Sequence, residues 1–388
     1  MVKLRCPYCF THLGAAPAAF RCEVNGCADE PDPVASSFFG AQVVTRPVIV
    51  TGGQGGQNGP VCRTCRNMAS RVVCPTCHAP LPANWYQCQT TCIAMAGARA
   101  SGKSTYIAVL KRQAEKLCEL MGLPLDFMDA TTERIYKKVY QSPLYEQRGL
   151  LAPTPRHETA AATQRTPLML SMGMIGNRRQ VLVIRDVAGE NLEDPTADPQ
   201  IFSFFGRADG VVFLFDPMRI PEIRLQLAGV ISEQAAVGGD PMSVLGNLVR
   251  LMRTSEQPIA IPLAVVLAKF DTLHELGAVV GSPWQAAMAN AGAAYSRDPS
   301  LNRPPAYDEA DGRLLDAEVS SLLTRLNARA LLNRVRQEFS NNRMFAVSAL
   351  GAASVGQALH PRGIAPFRCL DPLKWLLAGQ GVLDRTGA

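Results

Sequence analysis

No stretch of the sequence is long and apolar enough to span a bilayer. Its longest apolar run, Ile259 to Ala268, has ten residues and contains Pro262, against the roughly 18 that a membrane helix needs. No apolar signal core precedes the first cysteines in MVKLRCPYCF, so a cytoplasmic protein without a membrane partner is expected. Aromatic residues are scarce at 6%. Around the cysteines they are not interleaved with basic residues, which argues against a reader of single-stranded nucleic acid. Among the motifs, no serine, histidine and aspartate set favours a hydrolase triad. What is present, 47% hydrophobic and 19% charged residues over 388 positions, suffices for a full core and two or three domains.

Twelve cysteines would suggest a disulfide framework in a short secreted chain, but ten lie before residue 93. Eight of them form close pairs, Cys6/Cys9, Cys22/Cys27, Cys62/Cys65 and Cys74/Cys77. Pairs so spaced suit Zn²⁺ held on four thiolates, and two ions are expected. The favoured arrangement is sequential, the first four cysteines in one site and the last four in the other. A cross-braced alternative pairs 6/9 with 62/65 and 22/27 with 74/77. His12 and His78 are read as neighbours of the sites rather than ligands, and Cys88 and Cys92 as buried strand residues. Residues 51–60, TGGQGGQNGP, read as a flexible loop. Residues 1–87 thus form a zinc-binding module that needs its metal to fold and serves to dock a protein. Four thiolates on each Zn²⁺ lower the formal charge of +6 to about +2, which weakens any general attraction to nucleic acid.

The second domain, residues 88–388, is organised around Gly97-Ala98-Arg99-Ala100-Ser101-Gly102-Lys103-Ser104, followed by Thr105. The string fits the phosphate-loop pattern, with a short apolar strand at 92–96 before it and a helical period over 105–120 after it. Glycines let the backbone N–H groups and the helix N-terminus converge on an anion. Lys103 would reach the β- and γ-phosphates, and the Ser104 hydroxyl would be a ligand of Mg²⁺. Further strands are expected at 168–172, 180–185, 211–215, 263–268 and 344–347. A hairpin joins the first two of these across Gly173, Gly176 and Asn177. Alternating helices make the sheet mainly parallel, with helices on both faces.

Motifs follow three of these strands. Asp186-Val187-Ala188-Gly189 offers a carboxylate that holds Mg²⁺ through water and a glycine N–H for the γ-phosphate. Lys269-Phe270-Asp271 offers a carboxylate that accepts from the N1–H and 2-amino groups of guanine, which adenine lacks as a set. Ser348-Ala349-Leu350 offers a backbone N–H to the guanine carbonyl oxygen. In that order, these motifs resemble the GTPases of the translation-factor and Ras-related class. The CPYC and CPTCH knuckles ahead of GARASGKS are similar to the bacterial double-GTPase family.

The resemblance implies a Ras-like α/β fold and a switch controlled by GTP and GDP, with Mg²⁺, γ-phosphate hydrolysis and a protein effector or activating partner. Lys103, Thr166, Gly189 and Glu190 are the residues it would set to work on the γ-phosphate, with Thr159 and Thr163 as rivals to Thr166. Arg99, Arg156 and Arg165 are candidate arginine fingers, while His157 reads as a loop residue. The chain departs from the family pattern at Ala268, where Asn or Thr usually opens the base motif, and at Glu190, where many members have glutamine. Slow turnover is therefore expected. The alternatives are an ATP-binding or non-hydrolysing phosphate-loop protein and a zinc-dependent scaffold.

Overall fold

The computed structural model describes residues 3–14, 17–51, 59–152, 166–228, 239–278, 280–281, 284–352 and 358–387. Near the N-terminus, strand β1 (Ala19–Arg21) lies between β2 (Val48–Val50) and β3 (Arg71–Val73), antiparallel to both. Between β1 and β2, helix α1 (Pro33–Phe39) is capped by the Asp32 carboxylate, which accepts from Ala35 N, with proline in its first turn.

A seven-stranded sheet forms the centre of the molecule. Its strands are β4 (Cys88–Ala96), β5 (Asp126–Phe127), β6 (Leu168–Ile175), β7 (Arg178–Arg185), β8 (Gly210–Phe215), β9 (Leu263–Leu267) and β10 (Asn342–Ala346), in the spatial order β10-β9-β8-β4-β7-β6-β5. From β10 to β7 all neighbours are parallel, and β6 and β5 are added antiparallel. β8 and β9 are buried along their whole length, as continuous apolar runs must be when both faces of a parallel sheet are covered. The β6–β7 hairpin turns at Gly176, φ +64°, where the sequence pattern put it. Around β4 the strand order reverses, so the crevice beyond its carboxyl end is the natural ligand site of an open α/β sheet. This is the Ras-like arrangement that the motifs imply, extended by one edge strand.

The helices packed around the sheet include α2 (Lys103–Leu120), the short α3 (Gly189–Glu193), α4 (Glu309–Arg325), α5 (Arg329–Glu338) and α6 (Asp371–Gly379). Apolar residues keep one helical period over 314–339, yet the chain forms two helices there. The chain breaks at Asn327, φ +60°, and the apolar rhythm continues because both halves bury leucines in the same core. β4 begins at Cys88, earlier than its apolar pattern suggests. The polar residues there have partners: Arg5 N donates to Thr90 Oγ1 at 2.9 Å and Gln180 Nε2 to Thr91 Oγ1 at 3.0 Å. Trp375 of α6 is buried against Phe345, ring centroids 5.8 Å apart. Residues 52–58, most of the glycine-rich loop, lie outside the described residues. Among those described, no helix is long and apolar enough to cross a membrane.

A buried carboxylate adds a clamp between the N-terminal segment and β4. Buried Asp209 accepts from Arg5 Nε at 3.0 Å and from Cys92 N at 2.9 Å, while its own N–H donates to Cys92 O at 2.8 Å. Trp85 Nε1 donates to Arg5 O, 2.9 Å away, and Leu4, Phe10, Leu13 and Trp85 share one hydrophobic cluster with the sheet. Asp209→Ala strands a buried N–H and a guanidinium together. The expected cost is about 2–3 kcal/mol, read as a lower urea midpoint. Asp209→Asn keeps an acceptor oxygen and should lose about half as much.

Candidate functional site

The phosphate loop follows β4 directly. Gly97 passes so close to β8 that a Cβ on it would lie 2.2 Å from Leu214 O, so only glycine fits there. Ala100 at φ +58° and Gly102 at φ +93° carry the loop into α2. Lys103 lies inside the loop, buried, with Nζ donating to Gly97 O at 2.8 Å and Ala98 O at 2.9 Å. Burial pushes its pKa down, against the pull of the Asp186 and Glu193 carboxylates.

Two observations bear on what the loop could hold. Arg99 N donates to Glu193 Oε1 at 2.7 Å, an oxygen that also accepts from Gly239 N at 3.0 Å. A carboxylate of this chain thus lies against a loop amide where phosphate oxygens would bind. Ser101 Oγ is buried without a hydrogen-bond partner among the described residues, a group that a ligand would satisfy.

The DxxG turn comes to the same place. Ser104 Oγ donates to Asp186 Oδ2 at 3.3 Å. A hydroxyl and a carboxylate so placed are the hard oxygen donors that Mg²⁺ takes. Gly189 is wedged against the loop, where a Cβ would meet Arg99 N at 2.2 Å and Ala98 C at 2.3 Å. Glu190 Oε1 pairs with Arg99 Nη1 at 3.1 Å. Thr105 is half-buried in the first turn of α2, and Thr166 is half-buried just ahead of β6. Thr159, Thr163, Arg156, Arg165 and His157 lie outside the described residues.

The base-recognition motifs meet at the ends of β9 and β10. Ser348 Oγ donates to Asp271 Oδ1 and accepts from Gly351 N at 2.9 Å. The Ser348 N–H is taken by Phe367 O at 3.1 Å, which leaves the half-buried Ala349 and Leu350 as the sources of an N–H for a base. Lys269, φ +52°, donates from Nζ to Asp216 Oδ2 at 2.8 Å. Asp216 was missed in the sequence, although Phe-Asp-Pro after an apolar strand signals a capped turn. Its bond to Lys269 ties the base loop to the end of β8, where Ala268 has no side chain to do so.

With this geometry in place, the comparisons are decisive. A Mycolicibacterium smegmatis protein, named "Putative ESX-1 scaffolding and assembly protein SaeC", is 43% identical over 391 residues, covering 98% of this chain and 100% of the relative. Residues 91–304, more than half of the chain, match the family described as Double-GTPase 2. The chain belongs to the Double-GTPase 2 family. Solved structures that it is similar to include the Arl6 small GTPase of Trypanosoma brucei (10% identity, TM-score 0.29, 76% of this chain and 100% of that one). Another is the GTPase-like domain of S. cerevisiae Ski7 (10% identity, TM-score 0.34, 75% and 50%). Family and topology together support a GTP-binding protein.

The eight paired cysteines of this Double-GTPase 2 chain form two tetrads, but neither expected pairing holds. Cys6, Cys9, Cys74 and Cys77 form one, and Cys22, Cys27, Cys62 and Cys65 the other. The inner pairs are thus nested within the outer ones. The reason is the small sheet: β1, after the first knuckle, pairs with both β2 and β3, which brings the chain back antiparallel. Sulfur atoms lie 3.7 Å apart for Cys6/Cys77, 3.6 Å for Cys9/Cys74, 3.6 Å for Cys22/Cys65 and 3.8 Å for Cys27/Cys62. Four sulfurs tetrahedral about Zn²⁺ at ~2.3 Å would be ~3.8 Å apart, so both sets fit the ion.

Three of the knuckles turn alike, with Phe10, Arg66 and His78 at positive φ straight after the second cysteine. Tyr8 N and Thr76 N point at Cys6 Sγ and Cys74 Sγ, each at 3.4 Å. His78 uses Nδ1 on Asp32 at 2.7 Å, and His12 Nδ1 accepts from Gly14 N at 3.2 Å.

The nesting is checked by counting zinc in double variants. Cys6→Ser with Cys77→Ser should remove one ion of two, and Cys6→Ser with Cys22→Ser both. Sequential sites would give one ion lost with Cys6/Cys22 and two with Cys6/Cys77.

Proposed function

We propose that this chain is a guanine-nucleotide switch that hydrolyses GTP slowly and uses its zinc-stapled N-terminal segment to dock a protein partner. The observation that supports it best is the convergence of Lys103, the Ser104–Asp186 pair and the Asp271–Ser348 pair along the carboxyl edge of one sheet. In this reading Gly97, Ala100, Ser101, Gly102 and Thr105 cradle the phosphates with their N–H groups, and Lys103 turns its ammonium from the loop carbonyls to the phosphate oxygens. Mg²⁺, held by Ser104 and through water by Asp186, would neutralise charge between the β- and γ-phosphates. Water attacks the γ-phosphorus as its bond to the β-bridging oxygen breaks, and GDP and phosphate leave.

Glu190 is ion-paired with Arg99 and lacks an amide with which to donate to the attacking water, which accounts for slow turnover. Thr166 would close on Mg²⁺ when GTP is bound. The Asp271 carboxylate selects guanine, with Lys269 holding its loop and the Ser348–Leu350 turn supplying the remaining N–H. Zinc on the two tetrads would fix the docking face, and a relative named for scaffolding and assembly favours a protein as the partner. The seating of Glu193 on a loop amide favours a second outcome, a nucleotide-responsive scaffold with little hydrolysis.

Titration of the zinc-loaded chain with GTP, ATP and XTP in Mg²⁺ tests the base reading. GTP should bind roughly 100-fold more tightly than ATP, because ATP leaves the Asp271 carboxylate without two donors. Asp271→Asn should shift the preference to XTP, and equal binding of GTP and ATP would sink the assignment. Lys103→Ala should abolish both tight binding and nucleotide-dependent partner capture, whereas a pure scaffold would keep its partner. Glu193→Ala, which clears the loop amide, should raise affinity for GTP more than for GDP.

A further inference from the structure

Arg185 ends β7, one residue before Asp186, and reaches into the N-terminal segment. Its side chain is buried, with the guanidinium 3.7 Å over the Phe204 ring and 5.3 Å from that of Phe38 in α1. One nitrogen, Nη1, donates to the carbonyl of Tyr8, between the ligand pair Cys6 and Cys9. Among the described residues no carboxylate forms an ion pair with it. Burial disfavours its charge and pushes its pKa down to about 10, against the pull of Cys77, Cys9, Cys6 and Tyr8.

A buried guanidinium without a carboxylate is costly unless another negative charge balances it. The tetrad beside it supplies one: four thiolates around Zn²⁺ carry a net charge of about −2. We propose that Arg185 is the counter-ion of the Cys6/Cys9/Cys74/Cys77 zinc centre, and that this pairing positions the Asp186–Gly189 turn against the phosphate loop. Metal occupancy at this centre then sets how firmly nucleotide is held. The Cys22/Cys27/Cys62/Cys65 centre packs in a separate small cluster and has no such connection among the described residues. The first half of the proposal rests on the fit of the tetrad to zinc, and the second on the guanine-nucleotide reading.

The test uses the full zinc-loaded chain with Arg185→Gln and Arg185→Lys. Zinc release to a chromogenic chelator should be biphasic, and Arg185→Gln should weaken one centre by roughly 10–100-fold, the usual effect of removing an outer partner of a metal site, leaving the other unchanged. Arg185→Lys keeps the charge and should stay near wild type. In the cobalt-substituted protein, the thiolate charge-transfer band of one centre should shift in the glutamine variant and not in the lysine variant. Fluorescent GDP should dissociate about tenfold faster from Arg185→Gln, in step with its weakened metal site.

Wild-type zinc release from the glutamine variant overturns the counter-ion role. So does a lysine variant as impaired as the glutamine one, since packing rather than charge would then be at work. Altered zinc release with unchanged GDP dissociation overturns the positioning role. Should the wild-type chain hold no guanine nucleotide at all, the function proposed above fails, while the zinc arm still decides the pairing.

Discussion

At Gly97 and Gly189 the phosphate loop touches backbone on two sides with no room for a side-chain carbon. On one side lies the carbonyl of Leu214 at the end of β8, and on the other the turn after β7. Because the loop is held between two strands of the same sheet, its shape is not a property of the glycine-rich string alone. Lys103 keeps it open from within by holding two of its carbonyls. Displacing the turn at Gly189 would change what the loop can hold, which is the coupling that the proposed switch needs.

Around this contact the chain places charges in short relays. Glu190 meets Arg99, Glu193 meets the Arg99 amide, Asp216 meets Lys269 and Asp271 meets Ser348. Each ties a loop that would contact nucleotide to another loop or strand end. Among the described residues, the polar groups of the site are therefore mostly satisfied internally, with Ser101 Oγ a buried exception. A ligand entering here has to exchange partners rather than fill a void, which separates this crevice from the apolar pockets that bind small molecules.

The strand order along the chain was legible because its information is local. The phosphate loop, the DxxG turn and the base motifs each occupy a few consecutive residues bounded by apolar strands, and the strand pattern ordered them correctly. Glu193, by contrast, is an ordinary helix residue until the fold lays α3 on the loop, and Asp216 acquires its role only because β8 and β9 are neighbours. Spacing marked the cysteines as candidate metal ligands, but their grouping depends on β1 pairing with two strands that follow it, which no spacing records. The start of β4 was hidden for the opposite reason: its threonines and glutamine look like loop until their partners across the sheet are known. The helical period at 314–339 ran through a break because periodicity reports which face is buried and not whether the backbone is continuous.

Nested ligand pairs impose an order on assembly. The inner tetrad closes a span of 43 residues between Cys22 and Cys65, the outer one a span of 71 between Cys6 and Cys77. The shorter ring loses less chain entropy on closing, and on the ribosome its last ligand emerges first. All eight ligands precede Lys103 in the chain. With zinc on both tetrads, as proposed, the growing polypeptide would carry its metal-bearing segment ahead of β4 and the rest of the sheet, so that zinc supply would bear on the yield of folded protein.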